Sequence, residues 1–124
     1  MPDMPSLNII IAAAEGARFY AALETAMAAA ALGHPVRLFL QGEAAALLRD
    51  PVSFVGDDAR RAAGQPDLAW LVGEAIAMEV RLFVCQSGMA LAGIAASELV
   101  PQVRAAGLVS FLAEIGDDDR LIVY

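Results

Sequence analysis

The sequence holds one cysteine, Cys85, at the end of the apolar run Val80-Arg81-Leu82-Phe83-Val84 and directly before Gln86-Ser87-Gly88-Met89. If the run is a buried strand and the residues after it open a helix, backbone N–H groups and the helix dipole point at the thiol and favour its thiolate. The thiolate is the nucleophilic form, which makes Cys85 the candidate catalytic residue. A free cysteine is also among the most buried residue types and often only packs. Position by itself leaves both readings open.

The flanking residues define a candidate binding site. The Ser87 hydroxyl and the N–H groups of Ser87, Gly88 and Met89 are placed to stabilise a charge on sulfur. Open α/β sheets bind ligands at the carboxyl ends of their strands, which adds Glu15 and Gly16 after the first strand and Gln41, with Gly42, after the second. Gln86 completes the set. Glu15 is awkward there, because an acid beside a thiolate raises its pKa; turned into solvent, it has no such effect. Met89 reads more readily as a helix residue packed on the sheet than as a flank of the sulfur.

Several constellations are missing. No G-x-G-x-x-G, P-loop or G-x-S-x-G pattern follows a strand, so nucleotide binding and hydrolase chemistry lack their usual loops. No arginine lies in the eight residues after Cys85, which removes the guanidinium of a cysteine phosphatase loop. There is no C-x-x-C, so a dithiol cycle within one chain cannot run. The single histidine, His34, precedes the second strand while Cys85 ends the third; in a parallel sheet those are opposite edges, and a Cys-His dyad is not expected. Asp117-Asp118-Asp119 reads as a solvated turn rather than a cation site, and Asp57-Asp58 with Arg60-Arg61 as a wet loop. No metal and no cofactor is expected.

Composition narrows the partners. With 124 residues, 59% of them hydrophobic and only 6% aromatic, the chain is expected to form one domain over 1–124 with a core of Ala, Leu, Val and Ile. Fifteen acidic against eight basic residues give a formal charge of −7, which disfavours nucleic acid and anionic membranes. One cysteine cannot form an internal disulfide, and Met1-Pro2-Asp3-Met4-Pro5 lacks the positive region of a secretory leader, so the chain reads as cytoplasmic. The apolar, Ala-rich stretch from Ala17 to Leu32 is broken by Arg18 and Glu24 and reads as a domain helix. Surplus apolar surface on so small a chain points to a homo-oligomer.

The elements that must position Cys85 alternate. Strands are expected over Leu7–Ala13, Pro35–Leu40, Val80–Val84, Leu99–Ala105 and Leu121–Tyr124, the fourth pushed to an edge by Pro101. Helices are expected from Phe19 to a stop at Gly33, over Glu43–Arg49, from Pro66 at a first helical position to Glu79, over Met89–Ala95 and over Leu108–Ile115. Residues 50–65 read as a loop with one helical turn and as the most mobile region. This alternation predicts an α/β fold, a three-layer α/β/α sandwich on a mainly parallel five-stranded sheet.

The first strand, the thiol in Val84-Cys85-Gln86-Ser87-Gly88-Met89, the Gly93-Ile94 step and the terminal Arg120-Leu121-Ile122-Val123-Tyr124 together resemble the DsrE/DsrF-like family. The resemblance covers nearly the whole chain, and its most specific segment is Leu82 to Ile94. It implies a small α/β protein that assembles into trimers or hexamers. It further implies a sulfur-relay role, in which the cysteine matching Cys85 carries a persulfide between sulfur donor and acceptor proteins. Some relatives lack the cysteine, so a non-catalytic oligomeric binding or scaffolding module with an inert thiol stands as the alternative. A peroxide-sensing protein forming a sulfenic acid is a third reading.

Overall fold

The computed structural model describes residues 4–124; Met1, Pro2 and Asp3, part of the leader argument above, lie outside the described residues. In chain order the elements are β1 (Leu7–Ile11), α1 (Gly16–Ala31), β2 (Val36–Leu40), a 3₁₀ helix (Gly42–Leu48), α2 (Asp57–Ala62), α3 (Leu68–Ala77), β3 (Arg81–Cys85), α4 (Gln86–Ala92), a 3₁₀ turn (Ala96–Glu98), β4 (Arg104–Ala106), α5 (Leu108–Ala113) and β5 (Arg120–Val123). The strands form one sheet in the order β4-β3-β2-β1-β5, and every pair is parallel. The α/β expectation holds, with a sheet parallel throughout rather than mainly so.

Burial explains the run-like strands. All five residues of β2 are buried, as are Asn8 to Ile11 of β1, because both faces of the central strands are covered. One face carries the larger core: Ile9, Ile11, Leu38, Leu40, Leu82 and Val84 pack on Phe19 and Leu23 of α1 and on Leu68, Leu71 and Val72 of α3. Each such fully buried large apolar side chain contributes about 1.5–3 kcal/mol by leaving water. Gly33, at φ 95°, ends α1 as its stop position requires.

The other face is thinly covered. Ile10, Phe39 and Cys85 meet only α5 there, through Phe111, whose ring lies 5.0 Å from Phe39 and 5.9 Å from Phe83 between centroids. Arg37 fixes that helix. Its guanidinium is buried, with Nε donating to Asn8 Oδ1 at 2.8 Å, Nη1 to Glu114 Oε2 at 3.0 Å and Nη2 to the Phe111 carbonyl at 2.8 Å. It also sits 4.1 Å over the Phe111 ring. Burial lowers its pKa, against the opposing pull of Glu114.

Several boundaries differ from expectation for identifiable reasons. Helix α3 begins after Asp67, not at Pro66, because the Asp67 carboxylate caps it by accepting from the Trp70 N–H at 2.9 Å. Helix α4 begins at Gln86 rather than Met89, because Cys85 is at once the last strand residue and the helix cap, and it stops at Gly93, φ 66°. Strand β4 spans only Arg104–Ala106; Pro101 cannot donate to a ladder, and Leu99–Val103 run irregularly beside the Gly42–Leu48 helix, with Val100 N–H bonded to the Leu48 carbonyl.

The 50–65 segment is largely exposed and carries its one short helix, α2, but it is anchored from within. Asp57 is buried, and its carboxylate accepts from the Phe54 N–H at 3.0 Å and the Leu68 N–H at 2.9 Å, tying α2 to the start of α3. Arg61 makes exposed pairs with Asp58 at 3.0 Å and with Asp67 at 2.9 Å, of a kind that contributes little. Asp119 closes the acidic turn by accepting from Gly116 and Ser6 N–H groups. No helix among the described residues is long and apolar enough to cross a membrane.

Candidate functional site

Strand β3 delivers Cys85 to the carboxyl edge of the sheet, where the chain turns without a linker into α4. The residue is 6% exposed, backed by Ile10, Phe39 and Phe111, and its open side borders a cleft of about 320 Å³. Gln41, Gly42, Gln86, Ser87, Gly107 and Leu108 line the rest of that cleft. The carboxyl ends of β2, β3 and β4 therefore build the site together.

Two opposing influences act on the sulfur. Burial pushes the Cys85 thiol up. Against it, the Ser87 hydroxyl lies 3.1 Å from Sγ, and the backbone N–H groups of Gly42, Gly88 and Ser87 donate toward it. The donors prevail, so the thiol titrates below its ordinary value. They stabilise the anion with fixed dipoles while the cleft leaves one side of the sulfur approachable.

The Gly42 donor comes from a different element and depends on a backbone that only glycine adopts readily, with φ 57° at the start of the 3₁₀ helix. That helix rests directly on α4: a β-carbon built on Gly88 would stand 2.0 Å from the Gly42 carbonyl oxygen. Two glycines thus let two chain segments close around one sulfur.

The residues nominated from sequence separate into two groups. Cys85, Gln86, Ser87 and Gln41 converge on the cleft, and Gly88 reaches the sulfur with its amide. Met89 is buried in the larger core and does not line the cleft. Glu15 and Gly16 are also absent from the lining. Glu15 is exposed and paired with Arg18 at 2.7 Å, while Gly16 abuts Phe54, where an added β-carbon would meet the ring at 2.5–2.8 Å. The loop after β1 is thus turned toward the Phe54 segment, and the objection to an acid beside the thiolate has no geometric basis.

Gly107 and Leu108, after the three-residue β4, were missed. Their strand was placed too early, and no residue type there signals a site. His34 Nδ1 lies 2.8 Å from the Pro5 carbonyl oxygen just before β2, whose first residue, Val36, is already about 16 Å along the strands from the level of Cys85 at ~3.3 Å per residue. No group of three or more His, Cys, Asp or Glu able to hold a metal ion occurs among the described residues.

A model of the DsrE/DsrF-like family matches residues 7–124. No curated protein matches the chain. Among solved structures, a protein of unknown function from Methanobacterium thermoautotrophicum is similar at a TM-score of 0.75 with 12% identity, covering 98% of this chain and 100% of that one. The YchN protein from E. coli is similar at a TM-score of 0.73 with 20% identity, again over 98% of this chain and 100% of the other. At these identities the likeness is one of fold.

Proposed function

This chain belongs to the DsrE/DsrF-like family, and we propose that it carries sulfane sulfur as a persulfide on Cys85. The observation that supports this most is the set of four donors around a thiol that faces a cleft and not a closed core. The Cys85 thiolate attacks the outer sulfur of a donor persulfide, forming a new S–S bond as the donor's own S–S bond breaks. The donor leaves as a thiolate, and the sulfane hydrogen travels with the transferred sulfur, so nothing is oxidised or reduced overall. Release is the same exchange with an acceptor thiolate. The donors around Sγ stabilise the attacking thiolate and receive it again as leaving group.

The partners on this proposal are a sulfur donor protein and an acceptor protein, and the setting is a reducing one such as the cytoplasm, where a lone thiol stays free. A homo-oligomer fits the thin face of the sheet, on which Val109 and Leu112 of α5 and Leu121 and Val123 of β5 are exposed. Burial of Cys85 to 6% exposure favours one competing reading, an inert thiol in a binding module. Mass spectrometry after incubation with a cysteine desulfurase and cysteine separates the two. A gain of about 32 Da, one sulfur, present in the wild type and absent in Cys85→Ser, is expected for the carrier. An unmodified wild-type thiol across several sulfane donors favours the module.

A further inference from the structure

All eight basic residues of this acidic chain are arginines, outnumbered by fifteen acids. Most have found partners. Arg18, Arg37, Arg49 and Arg61 pair with carboxylates, and Arg60 lies 3.8 Å over the Tyr20 ring. Arg81 and Arg104 pair with no carboxylate among the described residues, and both line one cleft of about 540 Å³, larger than that beside Cys85. In so acidic a chain, two neighbouring unpaired guanidiniums require an explanation.

The cleft exists because β4 is short. It pairs with Phe83, Val84 and Cys85 but not with Arg81 or Leu82, so the flank of β3 beside those two residues is uncovered. Arg104 is in register with Phe83, and Arg81 precedes Phe83 by two residues, which places all three side chains on the same face of the sheet. Arg37, in register with Arg81, lies on this face as well, but it is buried, paired with Glu114 and does not line the cleft. Ile76, Val80 and Leu82 belong to the opposite, larger-core face and border the cleft at the uncovered edge of β3, with Gln102 and Glu79 polar. Glu79 lines the same cleft yet pairs with neither arginine, and its backbone is held in the left-handed region at φ 66° by the end of α3.

We propose that Arg81 and Arg104 form a binding site for a small organic phosphate, the phosphate held between the two guanidinium forks and the apolar body lying against Phe83 on the same face. A guanidinium matches phosphate oxygens two at a time, and a cleft of this volume suits a small ligand. Glu79 opposes the anion and keeps the site selective for ligands that also make the apolar contact. The site lies at the amino end of β3, some 13 Å of strand from the sulfur at ~3.3 Å per residue, and is independent of sulfur transfer.

Phenyl phosphate is the probe. Titrated into the wild type, it is expected to saturate and to shift the amide resonances of Val80–Phe83 and Gln102–Arg104, binding more tightly than inorganic phosphate, which lacks the ring. In Arg81→Gln/Arg104→Gln the dissociation constant is expected to rise about tenfold or more, while Arg120→Gln, another unpaired arginine at the far edge of the sheet, stays within about twofold. Arg81→Lys/Arg104→Lys keeps the charge without the forks and is expected to fall between. Glu79→Gln is expected to bind more tightly, and Cys85→Ser to bind as the wild type does. Non-saturating shifts, a double variant no weaker than Arg120→Gln, or shifts centred on Ser87 would overturn the assignment. So would a double variant whose oligomeric state changes while phenyl phosphate leaves every variant unaffected.

Discussion

Gly42 and Gly88 touch backbone to backbone across the Cys85 sulfur, so closely that a β-carbon on Gly88 would lie 2.0 Å from the Gly42 carbonyl oxygen. Both amides donate to that sulfur. Their packing and the ionisation of the thiol are therefore one geometric fact, reached from the loop after β2 and the helix after β3.

Gly88→Ala is accordingly expected to force the 3₁₀ helix away from α4. Overpacking of this kind costs about 1–3 kcal/mol, and more where the clash is with backbone. The Gly42 N–H is withdrawn from the sulfur in the same movement. Urea unfolding and thiol alkylation at neutral pH, measured on the same preparation, should both worsen; a loss of stability with unchanged alkylation would separate the two roles.

Ser87→Ala removes the hydroxyl 3.1 Å from Sγ and leaves the amides in place. The inflection of the alkylation rate against pH is expected to move upward, toward the ordinary thiol value, with little change in the plateau rate at high pH. A drop in the plateau with the inflection unmoved would instead assign Ser87 to access.

Cys85 also makes stability depend on pH. Its folded pKa is lowered, while the unfolded thiol titrates near 8.5. The contribution is therefore fully present above the unfolded value and is lost as pH falls through the lower folded one. The stability difference between wild type and Cys85→Ala, from urea unfolding, should grow as pH rises from about 6 to about 9. A flat or shrinking difference contradicts the thiolate.

Arg37→Met tests what holds α5 over the sheet. It strands Asn8 Oδ1 and the Phe111 carbonyl, both partners of the buried guanidinium. A buried acceptor left without its donor costs about 1–3 kcal/mol. Amide exchange should quicken in α5 far more than in α1; equal quickening in both would point to global destabilisation alone.

The strand-to-cysteine-to-helix passage was legible because apolar runs, glycine stops and a lone thiol are local signals. Leu68, Leu71, Val72 and Ala75 fall on the buried face of α3 as their spacing predicts. The larger part of the site was not local. The Gly42 amide reaches Cys85 from 43 positions away in the chain, and Gly107 and Leu108 join only because β4 is three residues long. Nor does periodicity distinguish a buried arginine from an exposed one: Arg37 sits in a wholly buried strand because Asn8, Glu114 and the Phe111 carbonyl, distant in sequence, converge on it. Glu15 misled for the same reason, since adjacency to a strand end says nothing about which way the loop turns.

The central claim is an ionised, reachable sulfur at Cys85, and the rate of iodoacetamide labelling of the native protein against pH tests it most directly. The account predicts labelling of the folded chain with an inflection clearly below the free-thiol value of about 8.5. Labelling that waits for denaturant, or an inflection at or above the free-thiol value, would contradict it.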